Sequence, residues 1–371
     1  MMSARFLTVV LERAFNMRDG FGREIDYMRI SVIDSCNLNC YYCNPCDNNE
    51  HCHALNILSV KEVLCIVRAA TRLGIKHFRL TGGEPLLHPQ LDEMVLQIKK
   101  ISGVSSVSLT TNAVLLAQHA KWLKEAGIDS INVSLDTIDA SEYERITKKP
   151  LLEEVKHGIN AAIECGIRVK INVVLTPQTD VVALTRYVAK KGTDIRFIEM
   201  MPVGEGHTNG VEPYKKVIGT LSKLYGEPCR INTEKTKEIN SGNDKRKIPD
   251  NGPAEYYIFP ELGIRVGLIQ AIHGKFCDTC NRIRVTADGR LMPCLGSSVT
   301  MDLVPDSCEF TDDLEKDFVI VQALKAAIKA KPRCHNFNDN AVTYTKTTET
   351  KTTEIEAAEV NAARNMSRIG G

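Results

Sequence analysis

A chain of 371 residues that is 43% hydrophobic can bury a large core, as one big domain with an appendage or as two domains. Its 47 Lys and Arg nearly cancel its 46 Asp and Glu, so the bulk charge supplies neither a nucleic-acid stripe nor a membrane-binding face. The N-terminal run FLTVV is soon followed by Glu12 and Arg13 and is too short for a signal peptide or a spanning helix; with 13 cysteines, an odd number, this points to a reducing, cytoplasmic compartment where clustered thiols take metal.

From residue 28 to about 201 short β-branched runs alternate with helical stretches. The strands read MRISVI (28–33), HFRLTG (77–82), SVSLTT (106–111), SINVSL (130–135), RVKINVVL (168–175) and DIRFIEM (194–200). Ser59 and Glu62 form a capping box for the helix that starts at residue 60, and Gly74 ends it. Six βα units in series predict a parallel sheet. One parity of five strands is polar: Arg29 and Ser31, Arg79 and Thr81, Ser108 and Thr110, Asn132 and Ser134, Lys170 and Asn172. A dry sheet does not tolerate that pattern on so many strands, whereas an open α/β barrel with a polar interior does. In such barrels chemistry sits at the C-terminal ends of the strands.

The loop after the first strand, DSCNLNCYYCNP, carries Cys36, Cys40 and Cys43. Zinc would need a fourth ligand from Cys46, His51, Cys52 or His53. Three thiolates in one tight loop also suit a cubane iron-sulfur cluster whose fourth iron takes a non-protein ligand, and the spacing favours this reading. One unit later LTGGEPLL (80–87) reads in isolation as a glycine turn. The segment FCDTCNRIRVTADGRLMPCLG (276–296) adds Cys277, Cys280 and Cys294. With Cys308 or His273 they would make a zinc site; the TADG turn, which returns Cys294 to the pair, fits a second cluster equally well. Arg282 and Arg284 share one face of the strand after Cys280 and form a fork for phosphate. Cys65, Cys165 and Cys229 read as small buried hydrophobes.

The C-x3-C-x2-C loop followed by GGEP resembles the radical S-adenosylmethionine (SAM) enzymes, which implies an incomplete (β/α)6 barrel. With the second cysteine set, and with LTTN, NVSLD, VKINVV, RFIEMMPVG and the terminal Gly370–Gly371, the chain resembles the GTP 3′,8-cyclase family over residues 22–300 and the tail tip. Asn44 and Ala113 depart from the family's methionine and glycine. The resemblance implies two 4Fe-4S clusters, one on Cys36, Cys40 and Cys43 and one on Cys277, Cys280 and Cys294. Tyr42, Gly83, Ser134 and Met201 would contact SAM; Arg29, Arg79, Thr110, Lys170, Arg282 and Arg284 would hold GTP; Gly370 and Gly371 would enter the active site. The implied reaction joins ribose C3′ to guanine C8, at the head of molybdenum cofactor biosynthesis. Implied partners are an electron donor such as flavodoxin or ferredoxin, a downstream cyclic pyranopterin monophosphate synthase and a second copy in a homodimer, with no membrane or nucleic acid. The expected layout is a barrel over 1–215, a second-cluster region over 216–310 and a helical, polar tail over 311–371, in which 301–357 matches nothing informative. The competing class is a radical SAM enzyme that modifies a peptide with an auxiliary cluster.

Overall fold

The computed structural model describes residues 17–43, 56–202, 213–231, 252–297, 299–303, 313–335 and 337. The strands are β1 (Tyr27–Ser31), β2 (His77–Thr81), β3 (Ser106–Thr111), β4 (Ser130–Ser134), β5 (Val169–Val174), β6 (Asp194–Ile198), β7 (Cys229–Arg230), β8 (Glu255–Ile258), β9 (Arg265–Ile269), β10 (Arg282–Val285), β11 (Arg290–Met292) and β12 (Met301–Asp302). They form one sheet in the order β12-β11-β10-β1-β2-β3-β4-β5-β6-β9-β8-β7. The six expected strands are adjacent and parallel, and the C-terminal region adds a parallel strand at each edge, β10 on β1 and β9 on β6. The outer four strands pair antiparallel.

Strand parity explains why this sheet surrounds polar residues. Met28, Ile30, Phe78, Leu80, Val107, Leu109, Ile131, Val133, Ile171 and Val173 are buried in one continuous apolar core beneath the helices. The alternate positions of the same strands therefore face the opposite side. The helix Val60–Arg72 begins with Ser59 accepting from Glu62 N while Glu62 Oε2 accepts from Ser59 N, the expected capping box. Gly74 follows it at φ 85°, a left-handed turn suited to glycine. The β6–β9 edge is fastened by Arg265, whose Nη2 lies 2.5 Å from Asp194 Oδ2, both side chains buried.

Cys65 is buried and Cys165 half-buried, but Cys229 is exposed, because β7 is a two-residue strand at the end of the sheet. Among the described residues no helix is long and apolar enough to cross a membrane.

Candidate active site

A cavity of about 320 Å³ opens at the C-terminal ends of the parallel strands, within the size range of small-ligand sites. Its wall contains both cysteine triads, Cys36, Cys40, Cys43 and Cys277, Cys280, Cys294. Tyr42, Gly83, Ser134, Met201, Arg29, Arg79, Thr110, Arg282 and Arg284 also line it. Lys170 does not; it is buried on β5, in register with Asn132 and Asp194. Gly370, Gly371, Cys46, His51, Cys52, His53 and Cys308 lie outside the described residues.

The first cysteine loop is held by backbone. Asn39 N and Tyr41 N donate to Thr147 O and Ile146 O, and Cys43 N donates to Cys40 O at 2.9 Å. The GGEP segment runs against it: Gly83 N donates to Ile33 O at 2.7 Å and Glu84 N to Ser35 O at 2.8 Å. A Cβ on Gly83 would lie 2.1 Å from Ser35 O, and one on Gly82 would lie 2.4 Å from Ile33 O. Here glycine permits two backbones to touch. Tyr42 OH donates to Asp136 Oδ2 at 2.5 Å, while Asp136 Oδ1 accepts from Val174 N. Burial pushes the Asp136 carboxyl up to about 6 and that of Glu84 up to about 7. Glu84 accepts from Thr111 Oγ1, Asn112 N and Leu86 N, which ties the ends of β2 and β3 together.

Burial pushes the Cys36 thiol up to about 11 and raises Cys40, which is raised further by Asp136, Cys43 and Cys36. Metal loading must therefore release protons from this set. Among the described residues no three His, Cys, Asp or Glu side chains are gathered as ligands of one ion. A cubane asks for a different donor set, one thiolate for each of three irons, and each triad supplies three thiols at the wall of a single cavity. The residues present therefore fit a cluster at each end.

The anion-attracting part is a row of guanidiniums. Arg284, Arg29 and Arg79 occupy matching register positions on β10, β1 and β2. Burial, then the charges of Arg284 and Arg79, hold Arg29 well below the usual arginine range; burial and Arg282 push Arg284 down to about 10. Arg282 lies over the Phe276 ring, 5.3 Å from its centroid, and Arg79 over Tyr27 at 5.6 Å.

Sequence reasoning passed over several lining residues. Arg196 donates from Nε to Asn172 Oδ1 at 2.9 Å and continues the polar parity of β5 onto β6, a signal present in the strand pattern. Asp136, Asn112, Lys331, His335 and Phe337 also reach the wall. The last three come from the region expected to be tail, and only tertiary packing reveals them. Ala113, where the family has glycine, is held at φ 65°, which explains the family's preference.

The Radical SAM superfamily pattern matches residues 30–183 and the Molybdenum Cofactor Synthesis C pattern matches residues 193–337. Curated relatives named GTP 3′,8-cyclase include that of Clostridium perfringens (strain SM101 / Type A), 35% identical over 86% of this chain and 95% of its own length. Those of Peptoclostridium acidaminophilum, 37% identical over 86% and 94%, and Listeria monocytogenes, 36% identical over 86% and 92%, are similar. Among solved structures, Streptococcus suis SuiB bound to S-adenosylmethionine superposes with a TM-score of 0.54 at 14% identity, over 81% of this chain and 65% of that one, a likeness of fold. Identity at this level, sustained over nearly the whole length of the relatives, makes the chain a member of the GTP 3′,8-cyclase family of radical SAM proteins.

Proposed function

We propose that the chain converts GTP to 3′,8-cyclo-7,8-dihydroguanosine 5′-triphosphate in the first step of molybdenum cofactor biosynthesis. The observation that carries this is the sharing of one cavity by two cysteine triads and a row of arginines on adjacent strands. In this reading Cys36, Cys40 and Cys43 hold one four-iron cluster and Cys277, Cys280 and Cys294 hold the other. When bound, the first cluster and SAM together supply one-electron cleavage and hence a hydrogen-abstracting radical.

The chain's own contribution is to bind, orient and exclude water. Tyr42, Gly83, Ser134 and Met201, which line the cavity, contact SAM in this reading, and Gly83 lets its backbone lie against Ser35 of the first cysteine loop. Arg29, Arg79, Arg282 and Arg284 neutralise the triphosphate without a phosphate-binding glycine loop, and Thr110 offers a hydroxyl from the same wall, whereas Lys170, off that wall, is given no phosphate contact. Fixing the ribose and the guanine between the two cysteine sets holds GTP in the conformer that brings C3′ and C8 together, and apolar wall residues such as Ile198, Ile269 and Phe276 keep water from competing. Gly370 and Gly371 complete the site during the radical step. An electron donor of the flavodoxin or ferredoxin type, a cyclic pyranopterin monophosphate synthase that consumes the product, a homodimeric state and a cytoplasmic location belong to the same proposal.

A peptide-modifying enzyme with an auxiliary cluster is the competing class, and four arginines on one cavity wall speak for a polyanion instead. The test is anaerobic. The reconstituted chain should hold about eight irons, as two four-iron clusters require. With SAM and a reductant it should convert GTP into an isomer of equal mass that separates from GTP by chromatography. Iron for a single cluster, or unchanged GTP under those conditions, would refute the proposal.

A further inference from the structure

The segment after the helix Asp313–Lys329 returns to the cavity and closes its second-cysteine end. Arg23 clamps it: one guanidinium donates to Cys277 O at 2.6 Å, Arg333 O at 2.9 Å and Pro332 O at 2.6 Å. Beside that clamp His335 Nε2 bonds Ala271 O at 2.7 Å. Within the clamped segment Lys331 is only 3% exposed and lines the cavity. Its Nζ donates to Arg282 O and to Pro293 O, each at 2.8 Å, which sets its charge beside Cys280.

Those two carbonyls belong to the two arms of one hairpin. Arg282 opens β10 two residues after Cys280, and Pro293 directly precedes Cys294. Lys331 thus joins the arms that present two of the three thiols. Both of its hydrogen-bond partners are backbone carbonyls, which fix the ammonium without cancelling its charge. A reduced cluster carries one more negative charge than the oxidised form, and a fixed cation beside it favours the reduced form.

We propose that Lys331 is a positioning residue that raises the reduction potential of the cluster held by Cys277, Cys280 and Cys294, through a positive charge fixed between the two arms that carry Cys280 and Cys294. The proposal rests on the two-cluster reading above. It is tested in the full-length, anaerobically reconstituted protein by redox titration followed by electron paramagnetic resonance. The second-cluster signal is assigned with a parallel protein in which Cys36, Cys40 and Cys43 are all alanine. Lys331→Gln keeps a polar side chain but loses the charge. It should shift the reduced-to-oxidised ratio of the second cluster at least tenfold toward oxidised, equivalent to a fall of about 59 mV for a one-electron couple. Lys331→Arg, which keeps the charge, should shift it far less, and the first-cluster signal should stay in place in both variants. Independently, the native chain grown with 15N-lysine should show a lysine nitrogen coupled to the reduced second cluster. An unchanged potential in a fully iron-loaded Lys331→Gln chain, equal shifts in both variants, or no 15N coupling in the native chain would each overturn the proposal. If Lys331→Gln fails to hold the second cluster, the 15N measurement decides. A native chain with only one cluster would instead overturn the two-cluster reading, and this inference with it.

Discussion

The arginine row allows a substitution whose effects on nucleotide binding and on stability run in opposite directions. Arg284, Arg29 and Arg79 sit at matching positions on three adjacent strands, which are spaced about 4.8 Å apart. Burial and the neighbouring guanidiniums disfavour the charged forms of Arg29 and Arg284. A bound triphosphate would add counter-charge to the row. Arg284→Met keeps an unbranched stem in this 7% exposed position and removes the guanidinium. The lost hydrogen bond to a charged group is worth roughly 1.5–3 kcal/mol, a weakening of GTP binding of about ten- to hundredfold. Guanosine lacks the phosphates, so its affinity should change by less than about threefold, or ~0.6 kcal/mol. The nucleotide-free variant should melt no lower than the native chain, since a buried and repelled charge has been taken out. Titration calorimetry with both ligands at one fixed salt concentration, together with thermal unfolding, measures all three. Equal losses for GTP and guanosine would refute the phosphate role of the row.

Cys36→Ala should abolish SAM cleavage, whereas Cys277→Ala should retain part of it and yield no cyclised nucleotide; equal loss of 5′-deoxyadenosine in both, with the untouched cluster assembled, would contradict the separate roles of the two sets. Gly83→Ala places a methyl group 2.1 Å from Ser35 O and should displace the first cysteine loop, so iron analysis should find roughly one cluster in place of two, and a full complement would count against that contact. Burial raises Glu84 from 4.5 to about 7, so its ionisation is penalised in the folded state. The stability of the cluster-free native chain relative to Glu84→Gln should therefore fall as pH rises between about 4.5 and 7 and level off above, by roughly 3 kcal/mol in all; urea unfolding across that range that gives a constant difference would exclude this. Deleting Gly370 and Gly371 should leave iron content, SAM affinity and GTP affinity within about twofold, ~0.4 kcal/mol, while product formation collapses, and normal turnover would return the tail to an ordinary chain end.

Residues 28–201 were legible because parallel strands buried beneath helices must be apolar on one parity, and Arg29, Arg79, Thr110 and Ser134 violated that demand on the other. The first cysteine loop was equally readable, since its spacing is local and its backbone contacts are made within the neighbouring units. The edges were not. That β10 would pair with β1 across some 250 residues, and so align Arg284 with Arg29, leaves no periodic trace in either segment. Lys331 was unreadable for a related reason: in KPRCHNF it looks like the end of a solvated helix, and only the fold of the second cysteine hairpin supplies the two carbonyls that bury it. Arg196 could have been found by carrying the polar parity one strand further, from Asn172 on β5 to its register partner on β6.

The central claim is that this cavity joins C3′ of the ribose to C8 of the guanine of GTP. GTP labelled with deuterium at C3′ tests it directly, in anaerobic turnover with SAM and a reductant followed by mass spectrometry of the separated nucleotides. Bond formation at C3′ requires that the label leave that carbon while a solvent proton is taken up elsewhere, so the account predicts a cyclised nucleotide about one mass unit lighter than its labelled substrate. A product that keeps the label at C3′, or labelled GTP recovered unchanged from a fully iron-loaded enzyme, would contradict it.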